Sequence, residues 1–284
     1  MNGVIIINKS KGYTSHDVVN IVKKQLNIKK VGHTGTLDPN ATGVLPILIG
    51  NATKISKYLV EHKKTYIAVL KLGQKTDTGD VEGKIIEVDA NFNKIDIKQI
   101  EKVLHKFLGK QKQTPPMYSA IKIGGKKLYE YARQGQTVEV KPRDIEIYSI
   151  LLKKYDNIDE ITFEVECTKG TYIRVLCEDI AKELGTVGFM QDLERTKVDK
   201  FNIENSIVLN ELNAETIGQK LIAIEEIFID KNKLELNGTQ LKLFLNGVKL
   251  TYKLKDDLYR IYNKNIFIGL GIVNNNLLKR DVVI

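Results

Sequence analysis

The chain has 284 residues, of which 42% are apolar and 28% are charged, and its formal net charge is +9. This composition is ordinary for a soluble globular protein, and the length allows a large core and two domains. No apolar run is long enough to span a bilayer, and the apolar run near the N-terminus is too short for a signal peptide.

The cysteine content bears on the compartment. Cys167 and Cys177 are too few for a disulfide framework, and they lack the CxxC spacing of a zinc site. Reduced thiols are typical of a cytoplasmic protein. The sequence therefore predicts a cytoplasmic protein without membrane contact.

The positive charge is concentrated in two segments. Residues 1–64 carry ten Lys and Arg against three acids, and residues 106–154 carry eleven against four, so each has a net charge of +7. Residues 65–105 come to −1 and residues 155–284 to −4. Basic surfaces attract phosphate backbones, so these segments predict a nucleic-acid face. The alternative is a general enrichment in lysine, which does not explain the uneven placement.

The first elements follow from periodicity. Residues 3–8 form a short β-branched run that predicts a buried strand, and a loop follows at 9–14. Ser15 can cap a helix whose apolar residues recur close to every 3.6 positions. These residues are Val18, Val19, Val22 and Leu26.

Residues 31–46, VGHTGTLDPNATGVLP, are predicted to form an ordered loop. Glycines permit a positive φ and close approach, and Pro39 and Pro46 interrupt helices and strand ladders. The ionisable residues of this segment are His33 and Asp38. An acid held among short side chains in a loop can act as a nucleophile or base. Asp38-Pro39 can equally begin a turn, and spacing alone leaves both interpretations open.

The middle of the chain predicts alternating helices and strands. Asn51 can cap a helix through residue 61 with Ile55, Tyr58 and Leu59 inward, and residues 64–72 alternate as a half-buried strand. A polar turn at 76–83 leads to a strand at 85–88, which completes a hairpin. A helix begins at Asp96 and ends at Gly109.

Residues 110–142 mix basic residues with Tyr118, Tyr129 and Tyr131, a composition that suits RNA because cations bind phosphate and rings stack on bases. A short amphipathic helix packed on the core would have a similar composition. Strands are predicted at 145–152 and 161–167, and helices at 171–184 and 207–228. From about residue 230 the chain is strand-like, with Asn and Gly turns at 237–238, 246–247 and 274–276, so we expect a second small β domain.

Motifs for cofactors and metals are missing from the sequence. The patterns GxxxxGK[ST], GxGxxG and HExxH do not occur. The four histidines at 16, 33, 62 and 105 are scattered, which disfavours an Asp/His metal hydrolase. We therefore predict neither a cofactor nor a metal.

Six further segments occur in order along the chain with the loop at 31–46. They are Asn8-Lys9 with Gly12 and Thr14-Ser15; Lys64-Thr65-Tyr66; LGQKTDTGDVEG at 72–83; PPMYSAIKIGGKKLYEYARQG at 115–135; KGTYIRVLCEDI at 169–180; and Asp192-Leu193-Glu194-Arg195-Thr196. Together the seven resemble the tRNA pseudouridine-55 synthases, the TruB family, from about residue 3 to about residue 200. One departure is Ser10, where members of the family usually have proline.

The resemblance implies the fold class and the domains. It predicts a mixed α+β fold with a largely antiparallel central sheet flanked by helices, followed by a small β-barrel-like domain of the PUA type. The catalytic domain would span residues 1–229, with an RNA-binding insertion at 110–142 that closes over the RNA, and the small domain would span residues 230–284. The implied activity is isomerisation of a uridine to pseudouridine in the T loop of tRNA, at position 55, after the base has flipped out. The implied partner is the T stem-loop of tRNA, with no protein partner, and we expect a monomer.

The resemblance also assigns residues. Asp38 would be the nucleophile, Arg174 its cationic partner, and Tyr66 the active-site tyrosine that stacks on the base. Tyr172 and Leu193 match positions of the uridine pocket, and His33 matches the residue that fills the space left by the flipped base. Lys9, Lys122 and Arg133 are candidate phosphate contacts. Without the resemblance, Tyr66 would be predicted as core, His33 as a hydrogen-bonded structural residue, and Arg174 and the three phosphate candidates as solvated surface.

Two rival functions remain from the sequence. One is a guide-RNA-dependent pseudouridylase, which shares the catalytic motifs but usually has protein partners and a less complete insertion. The other is a catalytically silent protein that binds or folds tRNA. The presence of Asp38, Arg174 and Tyr66 disfavours the silent protein but leaves an additional folding role open.

Overall fold

The computed structural model describes residues 1–60, 63–155 and 157–284. The strands of these residues are β1 (Gly3–Lys9), β2 (Val31–His33), β3 (Thr42–Ile49), β4 (Lys64–Leu72), β5 (Gln74–Thr76), β6 (Ile85–Val88), β7 (Gly109–Gln113), β8 (Lys122–Ile123), β9 (Lys126–Lys127), β10 (Arg143–Lys154), β11 (Glu160–Cys167), β12 (Gly188–Val198), β13 (Phe201–Asn202), β14 (Ile207–Val208), β15 (Lys233–Glu235), β16 (Leu250–Thr251), β17 (Asp257–Asn263), β18 (Ile266–Asn274) and β19 (Leu277–Val283). The helices are α1 (Ser15–Leu26), α2 (Ser56–Leu59), α3 (Ile97–Lys106), α4 (Leu128–Ala132), α5 (Ile173–Glu183), α6 (Ala214–Lys220), α7 (Ile224–Ile227) and α8 (Gly238–Leu245).

A ten-stranded sheet forms the centre of the molecule, with the order β14-β1-β3-β12-β4-β11-β10-β7; β2 pairs with β3 and β13 with β12. The pairs β1–β14 and β3–β12 are parallel, and the other pairs are antiparallel. The predicted mixed, largely antiparallel sheet is therefore confirmed. β4 lies between β12 and β11, and its residues alternate between buried and partly exposed, as the sequence predicted.

The helix α1 packs its valines on the sheet. Val18, Val19 and Val22 are buried in one cluster with Ile5 and Leu45. The cap is Thr14 rather than Ser15: the Thr14 hydroxyl accepts from the Asp17 backbone, and the Asp17 carboxylate accepts from Thr14 in return. Ser15 is thereby free to bond elsewhere, and its hydroxyl contacts the backbone of Leu37.

The prediction of one loop over 31–46 was wrong at both ends, because β2 and β3 occupy them and residues 34–41 alone form a loop. Pro46 lies within β3, opposite Ile6 of β1. In an antiparallel ladder the N and C=O of one residue face the same neighbour. The Pro46 carbonyl faces β2, because it accepts from the Thr34 backbone N–H, beyond the last β2–β3 pair at His33. The Pro46 nitrogen therefore also faces away from β1, and its missing N–H removes no hydrogen bond between β3 and β1.

Two other helix predictions need correction. A 3-10 helix, Gly50–Ile55, and the short α2 replace the helix at 51–61, and residue 61 lies outside the described residues. The Asn51 side chain does not cap the 3-10 helix, and the Asn51 backbone N–H donates to Asn2 Oδ1. The predicted helix at 207–228 is divided into β14, a 3-10 turn, α6 and α7, since β14 pairs with β1 and the Asn213 side chain caps a new helix.

The C-terminal part forms a five-stranded sheet, β15-β17-β18-β19-β16, with α8 beside it. The Asn-Gly pairs at 237 and 246 are the ends of α8 rather than strand turns: the Asn237 side chain accepts from the Gln240 backbone, and Gly247 has φ 81°. Leu270 and Val282 of this sheet share a core cluster with Val4 and Phe228. The five-stranded sheet therefore packs directly on the part of the protein that contains the ten-stranded sheet. The assignment of this sheet to the PUA type stays a prediction.

The segment predicted as an insertion is only partly outside the sheet. Residues 110–113 belong to β7, the edge strand that pairs with β10, while β8, β9 and α4 form a small hairpin-helix unit beyond it. No helix in the described part of the chain is long and apolar enough to cross a membrane.

Candidate active site

A cleft of about 410 Å³ opens above the middle of the sheet. It is bordered by the loop at 34–41, β4, β12, the first turn of α5 and residues 119–121. Its predicted site residues are Asp38, Tyr66, Tyr172, Arg174 and Leu193. The fold thus brings residues from motifs that are far apart in the sequence to one cleft.

Asp38 and Arg174 form an ion pair at the floor of this cleft. Arg174 Nη2 lies 3.1 Å from Asp38 Oδ2, the contact that the family resemblance implied. The Arg174 side chain is 7% exposed and that of Asp38 is 43% exposed. The Arg174 side chain is therefore held within the protein, whereas the Asp38 carboxylate is accessible to a bound molecule.

Both terminal nitrogens of the Arg174 guanidinium have two partners each. Nη1 lies 3.3 Å from Asp80 Oδ2 and donates to the Thr78 carbonyl at 3.2 Å, and Nη2 donates to the Tyr118 carbonyl at 2.8 Å. The sequence around Asp80 predicts only a polar turn and no role for this carboxylate. Two carboxylates share one cation here, which aims the guanidinium at Asp38.

Local contacts fix both partners. The Leu37 backbone N–H donates to the Ser15 hydroxyl at 2.9 Å, which holds the loop on α1. At Gly43 a Cβ would lie 2.2 Å from the Arg195 carbonyl, so only glycine fits there. On the other side, Gln113 bonds the backbone of Tyr172 twice, at 2.8 and 3.1 Å, and thereby ties the start of α5 to β7.

Tyr66 lies on β4, directly opposite Arg195 on β12. Its side chain is almost buried, and this burial raises the pKa of the Tyr66 hydroxyl to about 12, while Arg195 acts in the opposite direction. Tyr66 is therefore a neutral phenol near neutral pH. Arg195 belongs to one of the seven sequence motifs, but its sequence context predicts no role for it. The available signal was its position two residues after Leu193, on the inward side of the same strand.

The structure places His33 at the end of β2, and it is not among the residues that line the cleft. Burial lowers the pKa of the His33 imidazole, and its Nδ1 atom has no hydrogen-bond partner in the described part of the chain. Its suggested role beside a flipped base stays a prediction.

Lys9 was predicted to contact phosphate, and the structure corrects this. The residue is 0% exposed, and its ammonium donates to the carbonyls of Ser10, Tyr13 and Pro39 at 3.1, 2.7 and 3.0 Å. All three N–H groups are used within the protein. Burial lowers the pKa of Lys9 from 10.5 to about 8, against the nearby Asp38 carboxylate, which raises it. Lys9 therefore ties the loop at 10–13 to Pro39, next to Asp38.

We expect Lys9→Met to lower the free energy of unfolding by roughly 2–4 kcal/mol, because three carbonyls lose their donor. The matched control is Lys11→Met, an exposed neighbour paired with Asp192 at 3.7 Å, which should change stability by less than about 0.5 kcal/mol. Thermal unfolding measures both. A reduced salt dependence of tRNA binding by Lys9→Met with an unchanged unfolding midpoint would instead make Lys9 a phosphate contact.

Lys122 and Arg133 are exposed on the hairpin-helix unit formed by β8, β9 and α4. The same unit carries cation–ring pairs: Lys126 lies 4.3 Å from the Tyr131 ring, and Arg133 lies 5.4 Å from the Tyr129 ring. Cations beside aromatic rings suit a single-stranded RNA contact. The roles of Lys122 and Arg133 stay predictions.

A search of the described residues finds no group of three or more His, Cys, Asp or Glu side chains that could hold a metal ion.

Comparison with known proteins agrees with the motifs. Residues 23–173 match the family model described as TruB family pseudouridylate synthase (N terminal domain), and residues 174–227 match the tRNA pseudouridylate synthase B C-terminal domain. The chain is 47% identical over 277 residues to tRNA pseudouridine synthase B of Clostridium tetani, covering 95% of both chains. It is 42% identical over 282 residues to the protein of the same name from Caldanaerobacter subterraneus, covering 98% of both.

Solved structures are similar in fold. An H/ACA RNP bound to a substrate RNA containing 2'-deoxyuridine includes a chain that matches with a TM-score of 0.72 at 23% identity, over 99% of this chain and 84% of that one. A Cbf5-Nop10-Gar1 complex matches with a TM-score of 0.71 at 25% identity, over 99% and 83%. At this identity the likeness concerns the fold.

Proposed function

This chain belongs to the TruB family of pseudouridylate synthases and is a tRNA pseudouridine synthase, an isomerase, and we propose that its substrate is the uridine at position 55 in the T loop of tRNA. The observation that carries the proposal is the Asp38–Arg174 pair in a cleft beside Tyr66. We further propose that the protein acts as a cytoplasmic monomer that needs no protein partner.

The reaction breaks the bond between C1′ and N1, turns the base, and joins C1′ to C5. No atom is gained or lost and there is no net redox change, so the chemistry needs no cofactor. It needs a carboxylate that can attack either C1′ or C6 of the nucleotide. Asp38 supplies this nucleophile, since its side chain is the open member of an ion pair whose other member is buried.

Arg174 supplies the opposite charge beside the Asp38 carboxylate, at 3.1 Å, that stabilises this nucleophile when the RNA displaces water from the cleft. The Tyr66 ring forms a wall on which the uracil can stack, with Tyr172 and Leu193 completing the pocket. The target base must leave its own stack to enter, at a cost of a few kcal/mol. His33 would fill the vacated space.

The test is incubation of unmodified tRNA with the pure protein, followed by mapping of pseudouridine. We expect one modified position, in the T loop, with no guide RNA and no other protein present. Modification elsewhere would contradict the proposed target. A requirement for added RNA and protein would favour the guide-dependent alternative. Binding without any modification would favour a tRNA-folding protein.

The charge map predicts a salt dependence. Each phosphate neutralised by the protein should add about 0.7–0.9 to the slope of log affinity against log salt concentration. We expect that neutralising Lys122, Lys126, Lys127 and Arg133 together lowers this slope by about one unit at most for each residue that touches phosphate.

The matched control removes four charges from the C-terminal part. It neutralises Lys231, Lys233, Lys253 and Lys255, which belong to the segment 155–284 with its net charge of −4, although residues 230–284 alone carry ten Lys and Arg against five acids. We expect a smaller slope change than with the first set, measured as tRNA binding at several salt concentrations. A larger change from the C-terminal set would place the RNA face elsewhere.

A further inference from the structure

Arg195 is a buried cation without an acidic partner. Its side chain lies beneath the cleft at 1% exposure, and it forms no ion pair with a carboxylate of the described residues. An unpaired charge in such a place is costly, and neutral donors would satisfy the carbonyls that it bonds at a lower desolvation cost. The buried charge of Arg195 therefore indicates a function at this site.

The guanidinium joins two parts of the site. Nε donates to the Val44 carbonyl at 2.8 Å, Nη2 to the Gly35 carbonyl at 3.2 Å and Nη1 to the Thr36 carbonyl at 3.4 Å. Gly35 and Thr36 belong to the loop that carries Asp38. On the other side, Arg195 is the cross-strand partner of Tyr66, and both side chains line the cleft.

We propose that Arg195 is a positioning residue for the last proton transfer: its guanidinium holds the Tyr66 hydroxyl and stabilises the phenolate that forms as this hydroxyl moves the C5 proton to N1. This inference rests on the proposed function. It assigns to the buried charge the task of stabilising a negative charge that exists only during the reaction.

The proton balance needs no external base. After C5 has bonded to C1′, the ring has a hydrogen on tetrahedral C5 and a double bond between C6 and N1. The Tyr66 phenol gives its proton to N1, and the resulting phenolate takes the proton from C5. The C5–H electron pair forms the C5–C6 double bond, and the C6–N1 pair returns to N1. Tyr66 is regenerated as a phenol, the form that its raised pKa favours.

The experiment compares Arg195→Gln with Arg260→Gln. Arg260 is another buried arginine, in the C-terminal sheet, and its Nη1 lies 3.3 Å from the Tyr262 hydroxyl, so it controls for burial of glutamine beside a tyrosine. The substrates are T stem-loop RNAs with uridine, 5-deuterated uridine or 5-fluorouridine at the target position. A fluorine at C5 removes the proton whose transfer is in question.

We expect Arg195→Gln to slow single turnover of the uridine RNA by about 100-fold, the lower end of the usual range for loss of proton-transfer catalysis, because the Tyr66 hydroxyl itself remains. The isotope effect of deuterium at C5 should become larger than in the unmodified protein, and conversion of the 5-fluorouridine RNA should slow much less. A disturbed loop would slow both RNAs alike, so their ratio is diagnostic. Equal slowing with an unchanged isotope effect would overturn the proposal, as would no slowing.

Two further variants, Arg195→Lys and Tyr66→Phe, distinguish loss of the proposed role of Arg195 from misfolding. Lysine retains the charge, so it should restore part of the uridine rate while the 5-fluorouridine rate changes little. The double variant Tyr66→Phe/Arg195→Gln should be no slower than Tyr66→Phe, since both act through one hydroxyl. Additive losses would refute the assignment. If the unmodified protein forms no pseudouridine, the proposed function itself fails, and that result is distinct from any of these.

Discussion

Asp38→Asn should abolish pseudouridine formation while tRNA binding persists. Asparagine has nearly the same shape as aspartate but is neutral and does not attack carbon, so we expect turnover to fall by ~10⁴-fold or more. The backbone contact between Asp38 and Ala41, at 3.1 Å, does not depend on the side chain, so the loop should keep its form. Single-turnover pseudouridine formation and tRNA binding are the two measurements.

Asp230→Asn is the matched control. It makes the same chemical change at an exposed acid of the C-terminal part, whose nearest cation is Lys231 at 4.0 Å, and it should leave turnover unaltered. Appreciable pseudouridine from pure Asp38→Asn protein would show that another group is the nucleophile. Loss of tRNA binding together with turnover would show that Asp38 serves the RNA contact instead.

Arg174→Lys should have the second largest effect. Lysine retains the charge but has one ammonium in place of a planar fork, so it cannot reach Asp38, Asp80 and two carbonyls at once. We expect turnover to fall by roughly 100-fold, the scale of a lost preorganised electrostatic contact, with the fold intact. The measurements are single-turnover rate, thermal unfolding and tRNA binding.

Arg280→Lys provides the comparison for this change. Arg280 is exposed on the C-terminal sheet, where its guanidinium bonds the Leu245 carbonyl, and the substitution should not alter turnover. Near-normal turnover by Arg174→Lys would show that a point charge suffices and that the fork has no role. A large loss of stability would instead mark Arg174 as a structural support of the loop at 76–83.

The sequence by itself determined the elements whose signals are local. The valine spacing of α1, the alternation of β4 and the Asp96 cap of α3 are set by neighbours along the chain, and all three appear where they were predicted. The same holds for the family, since its motifs are contiguous. Asn-Gly at 237 and 246 shows the limit of local signals, because this pair ends helices as readily as it turns strands, and the partners of α8 decide between them.

Only the tertiary structure decided which charges meet. Arg174 contacts Asp38 and Asp80 because α5, the loop at 34–41 and the turn after β5 converge at the cleft, although the three residues are far apart in the chain. Lys9 and Arg195 are typical surface residues by composition, yet both are buried with their N–H groups on loop carbonyls. The physical reason is that a charge is stabilised in the interior only by donors, acceptors and ions that lie around it, and these come from distant segments that meet only in the folded chain.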